Sequence, residues 1–110
     1  SQLCWSGTRP APNTCAVRSF SSGNSPFGLS DMAGNVWEWV LDWYAHYSGD
    51  SSSYVLNPTG PGGGVYRVFR GGAWNTLTEF PINVRASYRI SWGATGRLNY
   101  VGFRCAYRAI

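Results

Sequence analysis

The sequence predicts an α+β fold of short antiparallel strands, with little helix and long irregular loops. Short segments alternate apolar and polar residues with the period of two that is typical of half-buried strands. The stretches between them are rich in glycine, proline, serine and asparagine, which favour turns and loops. The chain has 110 residues, so we expect one domain, with no room for separate cofactor and substrate domains.

Strands are predicted in five places along the chain. They cover residues 16–20, 36–44, 65–70, 84–90 and 100–107. The second segment carries the clearest signal, because its alternation places aromatic side chains almost exclusively on one face. The residues of that face are Trp37, Trp39, Leu41 and Trp43. We expect this face to be buried and to supply much of the core. A short helix around 31–34 is a further possibility just before this strand.

Three long loops separate the predicted strands. Residues 45–64 include a proline- and glycine-rich run at 57–64 that cannot form regular structure. Residues 75–83 and 91–99 are also irregular in composition. Loops of this length inside a compact domain usually carry function, so the functional surface is expected among them.

Composition and charge exclude several classes of protein. Aromatic residues make up 16% of the chain and charged residues only 13%, which excludes a disordered polyelectrolyte. No apolar run is long enough to span a bilayer, so no membrane insertion is expected. All nine cationic residues are arginines, and they are dispersed singly from Arg9 to Arg108. This spacing favours scaffold arginines that stack and satisfy loop carbonyls, as at Arg70, and we expect no nucleic-acid partner.

The cysteines leave the disulfide pattern open. Cys4, Cys15 and Cys105 allow three single pairings, each with one thiol left over. The chain has no Cys-x-x-Cys pattern and one histidine, His46, so a structural zinc site is not expected. The redox compartment stays open on this evidence, and an extracellular or surface-displayed location is favoured.

Several motifs resemble those of the formylglycine-generating enzyme (sulfatase-modifying factor) family. They lie at residues 27–39, 42–44, 57–61, 67–74 and 102–105, and read FGLSDMAGNVWEW, DWY, NPTGP, RVFRGGAW and GFRC. The resemblance implies a C-type-lectin-like fold with short strands and long loops. It also implies that residues 1–110 are a single minimal version, or the C-terminal portion, of that domain.

The resemblance does not extend to the copper chemistry of the family. Enzymes of this family oxidise a substrate cysteine with a copper ion that two cysteines hold, since soft thiolates select Cu(I). The matching positions here are Thr76 and Pro81, and Cys105 matches a structural cysteine of the family. His46 alone cannot supply the histidine triad of the related iron-dependent sulfoxide synthases. We therefore expect no copper and no formylglycine-generating activity.

A calcium site is the cofactor that the resemblance implies. Family members hold Ca²⁺ around a Gly-Asn-x-Trp-Glu turn, and the matching ligands are the Asp31 side chain, the Gly34 and Val36 carbonyls and the Glu38 carboxylate. Two carboxylates and two carbonyls suit an ion that takes six to eight oxygen ligands. The alternative is that Asp31 caps a short turn and Glu38 pairs with an arginine.

Two stretches of the last third, 75–80 and 88–100, have the mixed character of a binding surface. The layout around them resembles the variable proteins of diversity-generating retroelements, which use the same lectin-like fold as a binding scaffold. The candidate ligand-binding residues are Asn75, Thr76, Leu77, Glu79, Phe80, Tyr88, Ile90, Ser91, Trp92, Gly93, Gly96, Leu98, Asn99 and Tyr100. Tyrosine, serine, glycine and asparagine are the residues that antibodies use in their contact loops. In those variable proteins a template rich in asparagine codons is mutated at its adenines. Such changes cannot produce tryptophan or glutamate, so Trp92 and Glu79 depart from the pattern.

The sequence thus predicts a noncatalytic module that binds a protein or cell-surface ligand, with retroelement diversification as a further expectation. A fragment of a formylglycine-generating or related oxidase is the alternative from another class. A third hypothesis is a lectin that holds sugar hydroxyls through Ca²⁺, and it is disfavoured because the chain has no Glu-Pro-Asn or Gln-Pro-Asp motif. The bland alternative for the two stretches is that they are unconstrained surface loops.

Overall fold

A four-stranded mixed sheet organises the computed structural model, which describes residues 2–6, 13–47, 54–76 and 80–107. The strands are β1 (Trp37–Trp43), β2 (Tyr66–Arg70), β3 (Ile90–Gly93) and β4 (Val101–Gly102), in the order β3-β2-β1-β4. β2 runs antiparallel to both β1 and β3, whereas β4 runs parallel to β1. Two short 3₁₀ turns, Ser21–Gly23 and Pro81–Val84, are the helical elements of the described residues.

The two strands with the strongest alternation are confirmed, and the other three predicted strands are wrong in part or entirely. Residues 16–20 form a turn in which Ser19 donates both its backbone N–H and its hydroxyl to the Ala16 carbonyl. The predicted strand at 84–90 is displaced to Ile90–Gly93, because the 3₁₀ turn Pro81–Val84 is followed by a second turn in which the Tyr88 N–H donates to the Arg85 carbonyl. The closing strand shrinks to Val101–Gly102.

The core lies on the aromatic face of β1 and β2. Trp37 is 5% exposed and Phe69 is 1% exposed, and both pack with the fully buried Ala73. Trp39 meets Phe69 edge to face, with 4.1 Å between ring centroids. The prediction that the whole stripe is buried is wrong at Leu41, which is 87% exposed, because the β1–β2 register shifts between Trp39 and Trp43.

A disulfide crosslinks the N-terminal segment, and backbone contacts attach it to the turn before β1. Cys4 is bonded to Cys15, which decides among the three pairings, and Cys105 is a free, exposed thiol. The Cys4 carbonyl accepts a hydrogen bond of 2.7 Å from the Asn35 N–H. Gly34 has φ +77°, and a Cβ there would lie 2.3 Å from the Cys4 carbonyl oxygen, so only glycine allows this approach.

Within the described part of the chain, no helix has the length and apolar character that crossing a membrane requires.

Candidate functional site

The predicted binding stretch 88–100 forms β3 and the turns that follow it, and its residues divide between packed and displayed positions. Those that pack against the core are Tyr88, Ile90, Leu98 and Tyr100. Ser91, Gly93 and Gly96 are half-buried, and Asn99 is exposed. Trp92 is 51% exposed, whereas its neighbours in the strand, Ser91 and Gly93, are half-buried. The stretch is therefore a surface with an anchored underside rather than a free loop.

Trp92 is held in place by the turn behind it. The Gly96 N–H donates to the Gly93 carbonyl at 2.9 Å, which closes a tight turn immediately after β3. A Cβ on Gly96 would lie 2.4 Å from Cδ1 of the Trp92 indole, so the ring rests on the glycine backbone. In the sheet, Trp92 is paired with Arg67 of β2. These contacts fix a large aromatic side chain at the surface.

The second predicted stretch contributes two exposed residues and one buried one. Asn75 is exposed and Phe80 is 55% exposed. Leu77 and Glu79 lie outside the described residues. Thr76 is only 5% exposed, so its side chain is not presented to a ligand.

Thr76 instead holds the turn that follows the Gly71-Gly72 pair. Its Oγ1 accepts a hydrogen bond of 3.0 Å from the Ala73 N–H, and its own N–H donates to the Ala73 carbonyl. Its carbonyl accepts a bond of 2.6 Å from the Ser6 hydroxyl. Gly72, with φ +74°, would bring a Cβ within 2.7 Å of Val84 Cγ1, so this turn is packed tightly on both sides. Thr76 therefore stabilises this turn and its contact with Ser6.

The predicted calcium residues are brought together in the turn that enters β1. Asp31 and Asn35 both have positive φ, at +56° and +63°, which curls the backbone between them. The Asp31 carboxylate accepts a hydrogen bond of 2.7 Å from the Arg18 N–H. Gly34 is buried, and Val36 and Glu38 are half-buried. A cavity of about 870 Å³ opens beside the turn and is lined by Asp31, Val36 and Glu38 among others.

Arg104 occupies the centre of this turn. Its Nε donates to both Glu38 carboxylate oxygens, at 2.9 and 2.7 Å, and a second guanidinium nitrogen forms an ion pair with Oε1. The same side chain donates to the Ser30 carbonyl at 2.9 Å and to the Asp31 carbonyl at 3.1 Å. The hydrogen bond to Glu38 raises the pKa of the Arg104 guanidinium, which therefore stays charged. The sequence analysis gave pairing of Glu38 with an arginine as the alternative, without naming that arginine. The position of Arg104 in the Gly-Phe-Arg-Cys motif is the sequence feature that could have identified it.

Comparison with known proteins identifies the family. The sequence pattern of the sulfatase-modifying factor enzyme 1-like domain matches residues 5–109. The chain belongs to this family. Serine/threonine-protein kinase pkn1 of Chlamydia pneumoniae is 42% identical over 83 residues, which are 74% of this chain and 13% of that protein. The formylglycine-generating enzyme of Streptomyces coelicolor is 34% identical over an alignment of 112 positions, which covers 93% of this chain and 34% of that protein.

A solved structure supports the same fold. Treponema denticola variable protein 1 matches with a TM-score of 0.73 and 30% identity, and the match covers 93% of this chain and 34% of that chain. The fold of this family member is therefore C-type-lectin-like, a curled mixed sheet of short strands with little helix. The chain spans about a third or less of the length of these relatives.

The family's copper chemistry has no sulfur ligands at the matching positions of this chain. The Thr76 hydroxyl accepts a hydrogen bond from the Ala73 N–H, and Pro81 is exposed at the start of a 3₁₀ turn. In the described part of the chain, two of the cysteines form the disulfide and Cys105 is exposed near the C-terminus.

The calcium residues fit the ion in their oxygen chemistry, but Glu38 is already engaged. Both of its carboxylate oxygens accept hydrogen bonds from the Arg104 guanidinium. A divalent cation at Glu38 would therefore replace that ion pair rather than enter a free position. The described residues contain no group of three or more His, Cys, Asp or Glu side chains that could hold a metal ion. Calcium at this turn stays a prediction.

Proposed function

We propose that this chain is a noncatalytic ligand-binding module that contacts a protein or cell-surface ligand through the displayed residues of 75–80 and 88–100. The observation that carries the proposal is Trp92, a large aromatic side chain that is 51% exposed yet fixed against Gly96. Tryptophan is among the residues that dominate the energy of protein interfaces, and a rigid one loses little conformational freedom on binding. The similarity to a protein named a variable protein supports the same reading.

We infer two roles among the proposed contact residues. Asn75, Phe80, Trp92 and Asn99 are exposed and would contact the ligand directly. Four residues of the stretch are half-buried and pack against the core: Tyr88, Ile90, Leu98 and Tyr100. These residues would set the shape of the surface. A surface of this kind tolerates substitution at its displayed positions while its anchors preserve the fold. Diversification of these positions by a retroelement is part of the proposal.

Catalysis is the competing function, and the similarity to a formylglycine-generating enzyme is the observation that favours it. The chain lacks a thiolate at residues 76 and 81, and a Cu(I) site needs soft ligands. This absence supports a noncatalytic role. Turnover of a cysteine-containing peptide by the copper-loaded full-length gene product would contradict it.

Binding through Trp92 is tested with the ligand still unidentified. A fluorescently labelled chain is applied to a panel of cells and displayed cell-surface proteins, and bound fluorescence is compared for the wild type, Trp92→Ala and Tyr54→Ala. Tyr54 is 83% exposed and lies outside both stretches, which makes it the matched control. We expect the Trp92 variant to lose at least about tenfold in affinity and the Tyr54 variant to bind normally. Equal effects of the two variants would contradict the proposed surface.

Calcium binding at the turn of residues 31–38 is proposed as competition with Arg104. The melting temperature is measured with excess CaCl₂ and with a chelator, for the wild type and for Arg104→Gln. A ligand that binds only the native state raises its stability by mass action. Removing the guanidinium frees both Glu38 oxygens, so we expect a larger calcium-induced rise in the variant. Melting temperatures that calcium leaves unchanged in both proteins would exclude the site.

An extracellular or surface-displayed location is also proposed, and the disulfide between Cys4 and Cys15 supports it, because disulfides persist mainly in oxidising compartments.

A further inference from the structure

A second cavity, of about 660 Å³, lies where β1 ends against β2, away from the turn of residues 31–38. Trp43 and Tyr47 line it, together with residues 58–61 of the loop between β1 and β2. Arg70 and Arg89 both line it. This volume falls within the range of small-molecule sites, which are mostly apolar with a few placed polar groups.

The two arginines are held in fixed positions by neutral partners. Arg89 donates to the Ala45 carbonyl at 2.6 Å, and its guanidinium carbon lies 3.8 Å from the centre of the Tyr47 ring. Arg70 donates to the Ala86 carbonyl at 2.9 Å and approaches the Tyr47 hydroxyl at 3.5 Å. Carbonyl and ring contacts orient a guanidinium, but they leave its positive charge without a counter-charge.

Neither Arg70 nor Arg89 forms an ion pair within the described residues. The ion pair of that part of the chain joins Arg104 to Glu38, on the other side of β1 from the aromatic face. Asp42 lines the cavity, yet it forms no ion pair with Arg70 or Arg89. Two half-buried cations in a cleft with apolar walls concentrate a positive potential inside it. Such a site attracts an anion.

We propose that this cavity binds an organic carboxylate with a flat apolar body. The planar forks of Arg70 and Arg89 match the geometry of a carboxylate. The Trp43 and Tyr47 rings and the buried Val68 provide apolar surface for the body of the ligand. The site is separate from the binding surface at Trp92 and does not depend on the function proposed there.

Benzoate is the probe, and benzamide is its neutral isostere. Each is titrated into the ¹⁵N-labelled chain, and the arginine Nε–H and backbone signals are followed by NMR. We expect saturable shifts of the Arg70 and Arg89 signals with benzoate, and binding at least about tenfold weaker with benzamide, since hydrogen bonds to charged groups are the stronger ones.

Arg89→Gln and Arg67→Gln form a matched pair of variants. Arg67 also stacks on an aromatic ring, with its guanidinium carbon 3.5 Å from the centre of Trp43, and also donates to a backbone carbonyl, that of Leu41, but it does not line the cavity. We expect Arg89→Gln to weaken benzoate binding at least about tenfold and Arg67→Gln to leave it within about twofold of the wild type. Asp42→Asn removes the one carboxylate of the lining and should tighten binding, which tests the site if Arg89→Gln does not fold.

Three outcomes overturn the proposal: benzamide that binds as tightly as benzoate, equal losses in the Arg67 and Arg89 variants, or no saturable shift at the cavity. Trp92→Ala is expected to bind benzoate normally. Failure of the cavity and failure of the Trp92 surface are therefore separate results.

Discussion

At the scale of single residues, Arg104 does the most to define the turn beside β1. It contacts Glu38 through its carboxylate and the 30–31 segment through two backbone carbonyls. A planar guanidinium with five donors satisfies these acceptors at once, which a lysine ammonium cannot do in the same geometry. The sequence placed Glu38 on the face opposite the tryptophans, and that placement is what allows this contact.

Arg104→Gln is expected to destabilise the fold by about 1–2 kcal/mol, because charge-assisted bonds to Glu38 and two carbonyls are lost. Solvent screening weakens the ion pair, since the Arg104 side chain is 39% exposed, and this keeps the expected loss small. Urea denaturation measures the change, and Arg104→Lys should recover only part of it. Glu38→Gln completes a double-mutant cycle. Strictly additive losses in the double variant would show that the two side chains are not coupled.

The sequence analysis placed Thr76 among the ligand-binding residues, and this prediction is wrong because the side chain is buried. Thr76 is 5% exposed, and its hydroxyl accepts a hydrogen bond from the Ala73 N–H within the turn. No periodic signal marks a threonine that caps a turn, because the contact is local and depends on the backbone already being folded.

Thr76→Val should therefore cost about 1–3 kcal/mol, since it leaves the buried Ala73 N–H without its acceptor. Thr76→Ser keeps the hydroxyl and is the matched control, with an expected loss well below that of valine. Chemical denaturation of the two variants gives the comparison. Equal stability of the valine and serine variants would mean that the hydrogen bond contributes nothing measurable.

At the scale of elements, the sequence predicted the strands whose alternation also supplies the core. β1 and β2 carry Trp37, Trp39 and Phe69, so their pattern and their burial have the same cause. The register shift in β1 could not be read from the sequence, since it depends on how β2 pairs with it. Leu41 follows the alternation and is nevertheless exposed.

The elements after β2 were harder to predict because local turns compete with alternation there. Pro81 fixes the start of a 3₁₀ turn, and the Tyr88 N–H then donates to the Arg85 carbonyl in a second turn. β3 begins only at Ile90 and carries Trp92, which the sequence had assigned to a loop. Trp92 is 51% exposed although it belongs to a strand.

At the scale of the whole molecule, the fully buried apolar core of the described residues is small. Its members are Cys4, Trp37, Val68, Phe69 and Ala73. Many large apolar side chains are exposed instead, including Phe27 at 89% and Phe103 at 75%. A small core contributes little net stability, so crosslinks and ion pairs carry a larger share of it.

The disulfide therefore decides much of the stability of this chain. Cys4 is 1% exposed and its carbonyl accepts the Asn35 N–H, while the Cys15 N–H donates to the Asn35 side chain at 3.1 Å. The disulfide ties residues 2–6 to residues 13–15, and the two hydrogen bonds attach both segments to Asn35 in the turn before β1. Breaking it increases the entropy of the unfolded chain and loosens both attachments to Asn35.

Replacing both Cys4 and Cys15 with serine is expected to cost about 2–4 kcal/mol and to lower the melting temperature by about 10 °C or more. Cys105→Ser is the control, because Cys105 is an exposed free thiol and its loss removes no crosslink. Thermal melts with and without reductant give the same comparison in the wild type. A wild-type melt that reductant leaves unchanged would show that the sheet and its aromatic core hold the fold without the crosslink. The turn at Asn35 would then be held by Arg104 and by its backbone hydrogen bonds to Gly71, Trp74 and Cys4.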